Sequence, residues 1–335
     1  MTRRGDTLMF DAPPTVAAWA AAGGKKESEG PLASAFDFVT QDAAFGEQGC
    51  ENWEQAESLL QRKAVELCLR KADIPRSKVD IAFAGDLQAQ CTASNYTMRE
   101  LGIPFAGIYG ACSTMAETLG LAAVFAAGGM AERVLALTSS HFCAAERQFR
   151  TPLEYGSQRA PTAQWTATAS GSAVLSMSGD IQVRHATVGR IVDLGVTDMT
   201  NMGAAMAPAA AQTLLDFFND TATKPEDYDR IYTGDLGAVG TKLLYELLRE
   251  NGIVLRNHED CGLILFDREA QDVHAGGSGC GCSAGVLCGH ILNRMDRGEL
   301  KNILFMATGA LMSTTSSQQG ESIPGIAHLV HVGRG

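Results

Sequence analysis

One run of segments occurs twice in this chain, in the same order. Ile74-Pro75 leads through Asp80-Ile81-Ala82-Phe83-Ala84 to Gly85-Asp86, and Lys224-Pro225 leads through Arg230-Ile231-Tyr232-Thr233 to Gly234-Asp235, 149 positions later. The turn Gly110-Ala111-Cys112-Ser113 opens a small-residue helix to about Ala127, and the stretch GGSGCGCSA at 276–284 opens another. Gly129-Met130-Ala131-Glu132-Arg133-Val134-Leu135 has its counterpart in Gly298-Glu299-Leu300-Lys301-Asn302-Ile303-Leu304, where again a glycine closes a helix and a buried strand follows. Matches at three places in one order point to an internal duplication, each copy a mixed sheet with crossover helices. A chain of 335 residues has room for two such halves.

The remaining segments fit that frame. Residues 1–35, punctuated by Pro and Gly, read as an N-terminal arm, 36–180 as the first half and 181–335 as the second. Asn52 caps a helix whose apolar positions Ala56, Leu59, Leu60, Ala64, Leu67 and Cys68 recur at helical spacing. Strands are expected at 80–84, 103–106, 133–137, 173–177 and 262–266.

Composition excludes several functions. The formal net charge of -11 lacks the clustered Lys and Arg of a nucleic-acid footprint, and it repels anionic ligands that have no local donors or bridging cation. The nine cysteines are irregularly spaced and give no disulfide framework, which suits a reducing compartment. Asp6, Asp11 and Pro13-Pro14 interrupt the N-terminal apolar stretch, so no signal peptide is expected. The longest apolar run, 119–130, falls short of the ~20 residues a bilayer needs.

Cys112 sits where a strand turns sharply into a helix. A helix N-terminus favours thiolate, so the position suits an acyl-accepting nucleophile, although most free cysteines are simply small buried hydrophobes. Cys280, Cys282 and Cys288 lack a fourth ligand for zinc, and no metal site is expected there. The Gly279-x-Gly281-x-x-Ala284 match to a dinucleotide fingerprint is explained by the duplication.

Two halves with a cysteine at the head of a buried helix resemble the thiolase and ketoacyl-synthase superfamily, from about residue 36 to the end. The segments GPLASAFDFVTQDAAFGE (30–47), GIYGACSTMAE (107–117), TSSHF (138–142) and GGSGCGCSAG (276–285) are similar, more narrowly, to the stage V sporulation protein AD family. The resemblance implies a thiolase-like α/β fold of two pseudo-symmetric halves, layered α-β-α-β-α, and a homodimer joined through a first-half edge strand near 103–109 or 91–97. It also implies a sporulation role: binding dipicolinic acid, free or as its calcium chelate, for uptake into spores and release at germination. Partners would be other proteins of the same operon, some in the membrane, and the protein would be cytoplasmic or peripheral on the spore inner membrane.

Synthases of the superfamily pair the cysteine with a second-half His and a further Asn, His or Cys. Asp235 and Ser278 stand at those places here, and the stretch Thr308-Gly309-Ala310-Leu311-Met312 lacks the cysteine of biosynthetic thiolases. An Asp adds negative charge near a thiol and raises its pKa. A non-catalytic binding protein is therefore the first reading, and an acyl-thioester transferase or condensing enzyme using Cys112 is the alternative. Cys112, Ser113, His141, Arg147, Arg150, Asp235 and Ser278 are the candidate ligand-binding residues, with His141 and either arginine as cationic partners of a dianion. No cofactor is expected beyond calcium arriving with dipicolinate.

Overall fold

The computed structural model describes residues 1–150 and 158–335. In the first half the strand order is Thr15–Gly23, Ala169–Ser176, Val134–Ser140, Ile81–Gly85, Phe105–Gly107. The second half runs Ile181–Thr187, Gly325–Arg334, Asn302–Ala310, Arg230–Thr233, His258–Asp260. Both have the same sense pattern: Val134–Ser140 and Asn302–Ala310 each pair parallel on one side and antiparallel on the other. The two sheets join at the single pair Thr15–Gln182.

The duplication extends to register. Ile81 lies opposite Val134, and Arg230 lies opposite Ile303. One residue earlier, Asp80 accepts from the backbone N–H groups of Glu132 and Arg133 at 2.8 and 2.9 Å, while Asp229 accepts from those of Lys301 and Asn302 at 2.6 and 2.9 Å. The same carboxylate thus ties the entrances of two parallel strands in each half.

Helices cover both sheets and fill the space between them. Trp53–Lys71 and Thr92–Leu101 bury Val65, Cys68, Met98 and Leu101 on the outer face of the first sheet. Met202–Thr221 and Gly237–Glu250 bury Leu214, Phe217, Leu244 and Leu248 on the second. Between the sheets lie Thr114–Ala127 and Cys280–Val286, the latter continuing through a π turn to Asp296, with Met115, Leu119 and Ala122 in one core with Cys282, Val286 and Leu287. The layering is α-β-α-β-α, as expected. The Asn52 side chain caps its helix, accepting from Gln55 N–H at 2.9 Å. No helix among the described residues is long and apolar enough to cross a membrane.

Three readings are corrected. The N-terminal arm contains Thr15–Gly23, a nine-residue strand between Ala169–Ser176 and the second sheet. Its Ala-rich, two-sided burial leaves none of the polar alternation that marks a half-exposed strand. The strand expected at 262–266 is displaced: His258–Asp260 forms the edge strand and Cys261–Ile264 is a helical turn. The second central helix starts at Cys280, because Gly277–Ser278 is drawn into a two-residue strand pairing with Trp165–Thr166.

Candidate functional site

The turn before the first central helix is held by its own side chains. Ala111 takes a left-handed φ of 49°, which costs an L-residue free energy. The Ser113 hydroxyl donates to the Gly110 carbonyl at 2.6 Å, and that of Thr114 to the Ala111 carbonyl at 2.7 Å. A Cβ at Gly110 would lie 2.4 Å from a Glu117 oxygen, so a larger residue there would have to displace that side chain. The outcome is Cys112 two residues ahead of the helix, with only 6% of its surface exposed.

Asp235 meets it from the other half. One oxygen accepts from the Gly279 N–H at 2.8 Å and the Ser278 hydroxyl at 3.1 Å, and the other from the Thr308 hydroxyl at 2.9 Å. The Cys112 thiol lies within reach of this carboxyl's charge. Burial pushes Asp235 up to about 7 despite these donors. Burial first, and the Asp235 charge second, raise Cys112 well above the ordinary thiol range, opposed by the Gly279 N–H. The thiolate expected from a helix N-terminus is therefore not favoured here: the nearest charge is an anion and the thiol is buried.

A cavity of about 60 Å³ reaches Cys112 past Tyr109, Phe149, Met202 and Ser278. A second, of about 160 Å³, shares Phe149, Thr166, Met202 and Ser278 with it and is also lined by Arg150, Arg159 and Gln164. Arg159 forks onto Glu146 at 3.0 and 3.2 Å, and the same carboxylate accepts from the Thr166 N–H at 3.0 Å and pairs with Arg150. The Arg159 guanidinium lies 4.8 Å from the Trp165 ring centroid, and its Nε has no partner among the described residues. Two guanidiniums on one carboxylate leave this wall cationic in an acidic protein.

Cys112, Ser113, Asp235 and Ser278 are brought together, and Arg150 lines the adjoining cavity. Ser113, Asp235, His141 and Arg147 are not among the described residues lining either one, Ser113 and Asp235 being fully buried behind Cys112 and Ser278. His141 is 1% exposed and caps the helix Phe142–Glu146, its Nδ1 accepting from Ala144 N–H, and burial lowers it to about 4. Arg147 turns away to Glu54 and the Trp53 ring. Arg159, Glu146 and Gln164 were missed from sequence. The Glu146/Arg150 spacing of one helical turn was the available signal, but no pattern links Arg159 to a carboxylate 13 positions away.

The fold is that of thiolase-like enzymes. Aquifex aeolicus 3-oxoacyl-[acyl-carrier-protein] synthase III matches with a TM-score of 0.58 at 12% identity, over 96% of this chain and 99% of that one. Xanthomonas campestris OleA with bound cerulenin matches with a TM-score of 0.61 at 14% identity, over 99% of this chain and 100% of that one. Stage V sporulation protein AD of Bacillus subtilis (strain 168) is 46% identical over 328 residues, 97% of this chain and 95% of that protein. The family model of stage V sporulation protein AD matches residues 4–333. The chain therefore belongs to the stage V sporulation protein AD family.

Proposed function

We propose that this protein binds dipicolinic acid without transforming it, in its uptake into spores and its release at germination. Membership in the family carries the role in sporulation. The observation that supports the ligand is the cationic cavity beside a quiescent cysteine. Dipicolinate is one flat aromatic ring bearing two carboxylates. A space of about 160 Å³ is in the size class that accepts a single benzene ring, ~150 Å³. Arg150 and Arg159 give this wall the positive charge for one carboxylate, and Thr166, shared with the Cys112 cavity, offers a hydroxyl for the other.

Among the described residues the lining of both cavities contains no Asp or Glu, so calcium, when present, travels on the ligand's own oxygens rather than on the protein. Docking to membrane proteins of the same operon on the spore inner membrane belongs to this reading and rests on the family alone. Acyl transfer at Cys112 is less well supported. It needs a thiolate, and the groups acting on this sulfur are an acid, a second thiol and one N–H. The two cavities, even taken together, also offer less room than the roughly 300–1,000 Å³ of sites that bury a drug-sized ligand, and a pantetheine arm is of that size class.

Calorimetry with dipicolinate tests the reading. Arg159→Lys keeps a cation for Glu146 but loses the fork, and is expected to weaken binding at least ~10-fold. Unchanged affinity in that variant would place the ligand elsewhere.

A further inference from the structure

A chain of hydrogen bonds in the second half runs from the surface to a buried carboxyl. His258 and Asp260 stand two apart on the edge strand His258–Asp260, so both side chains leave the same face, and Thr233 of the neighbouring strand lies opposite Asp260. The Tyr245 hydroxyl, on the helix Gly237–Glu250, meets His258 Nδ1 at 2.9 Å, with the two rings edge to face at 85°. His258 Nε2 meets the Thr233 hydroxyl at 2.9 Å, and that hydroxyl donates to Asp260 at 2.6 Å. Asp260 also accepts from the N–H groups of Leu236 and Gly237 at 2.8 and 3.0 Å. The directions of these bonds are fixed. A threonine hydroxyl has one proton, and here it goes to Asp260, so Thr233 accepts from His258 Nε2–H. Burial lowers His258 to about 4, so its ring is neutral near pH 7 and its Nδ1 accepts from Tyr245.

We propose that Tyr245 is a nucleophile and a modification site, which takes the acyl group of an activated ester with His258 as its base. The geometry is that of an activated hydroxyl: a nucleophile within hydrogen-bond reach of a base, and the base oriented by a third group. Tyr245 is 40% exposed, so an electrophile can approach it, while Thr233 and Asp260 are buried. Burial and the Asp260 charge raise the Tyr245 hydroxyl, so little phenolate stands ready and the proton has to leave during the attack. As the phenolic oxygen bonds to the acyl carbon and the ester C–O bond breaks, the phenolic proton passes to His258 Nδ1. The Nε2 proton passes to Thr233, and the Thr233 proton to Asp260. The ring changes tautomer and never carries charge. One negative charge is lost at Asp260 and one appears on the departing oxygen. None of the four residues lines either cavity beside Cys112, so the site stands apart from the dipicolinate reading.

A brief pulse of p-nitrophenyl acetate on the intact chain, read by peptide mass spectrometry, tests this. Tyr96 and Tyr109, 44% and 50% exposed, are internal controls, since neither hydroxyl has a histidine partner among the described residues. At pH 7.5 the O-acetylation of Tyr245 should be at least ~10-fold faster than that of either control. Asp260, raised by burial to about 6, is ionised from pH 7.5 to pH 9, so the Tyr245 rate should change less than ~3-fold over that range. An unassisted phenol gains about 10-fold per pH unit below its pKa of ~10. Thr233→Val keeps the side-chain shape but cuts the relay, and should bring Tyr245 down to the control rate; Thr233→Ser should keep the wild-type rate. Labelling of Tyr245 no faster than the controls, a tenfold rise per pH unit, or a rate untouched by Thr233→Val overturns the proposal.

Discussion

The Asp235 carboxyl of the second half acts on the Cys112 thiol of the first, and its charge adds to burial in holding that thiol above its ordinary range. A nucleophilic cysteine needs a neighbour that stabilises its anion, and this neighbour does the reverse. Alkylation by iodoacetamide, followed by peptide mass spectrometry, should find Cys112 slow at pH 8. Asp235→Asn should speed it by about 10-fold per pKa unit recovered. Rapid labelling of Cys112 in the wild type would contradict this.

The pH dependence of stability follows from the buried groups. Burial raises Glu27, Asp235 and Glu117 to about 7 and Glu57 to about 8. Between their ordinary values and these, the folded state binds more protons than the unfolded one, so stability falls as pH rises. His141, His258 and His328 are lowered to about 4, which makes stability rise with pH up to the ordinary histidine value of 6.5. The two trends oppose each other below that point, and only the acids act above it. The urea-unfolding free energy should fall between pH 6.5 and pH 8, by a few kcal/mol at about 1.4 kcal/mol per pKa unit. A flat or rising free energy there would show that these carboxyls ionise without penalty.

Asp80 and Asp229 perform one task in two copies. Each Asp→Ala change strips the acceptor from two backbone N–H groups at a strand entrance. The expected loss is about 1–3 kcal/mol for each, similar in the two halves and additive in the double variant, because the sites share no partner. Denaturant unfolding measures it. A large loss in one half alone would mean that the duplication no longer governs stability.

How much of this was legible depended on the range of the interaction. The Gly85-Asp86 and Gly234-Asp235 pairs and the Gly110–Ser113 turn were readable because a sharp turn into a helix imposes small residues locally. Asp235 and Ser278 were found through the family pattern, and they do converge on Cys112. Thr15–Gly23 was not readable, since a strand buried on both faces and built of Ala carries no period. Residues 262–266 are a short apolar run, the kind that periodicity cannot assign between strand and helix. Arg159 escaped because its partner Glu146 is chosen by tertiary folding, and His141 was overvalued because a loop position says nothing of whether the ring faces a cavity.

Among the described residues the edge strand Phe105–Gly107 pairs on one side only, with Ile81–Gly85. An open edge invites a second copy, and the helix Thr92–Leu101 flanks it. Static light scattering at micromolar concentration should give twice the chain mass of 35.5 kDa. A monomer mass would leave this edge to another partner.

The most direct measurement is calorimetric titration of dipicolinate into the wild type and Cys112→Ala, with an acyl-thioester turnover assay on the same samples. Binding heat is expected in both proteins with closely similar affinity, because the thiol's nucleophilicity is not used, and no turnover in either. Absence of binding heat together with a turnover that vanishes in Cys112→Ala would contradict the binding reading and make this protein an enzyme.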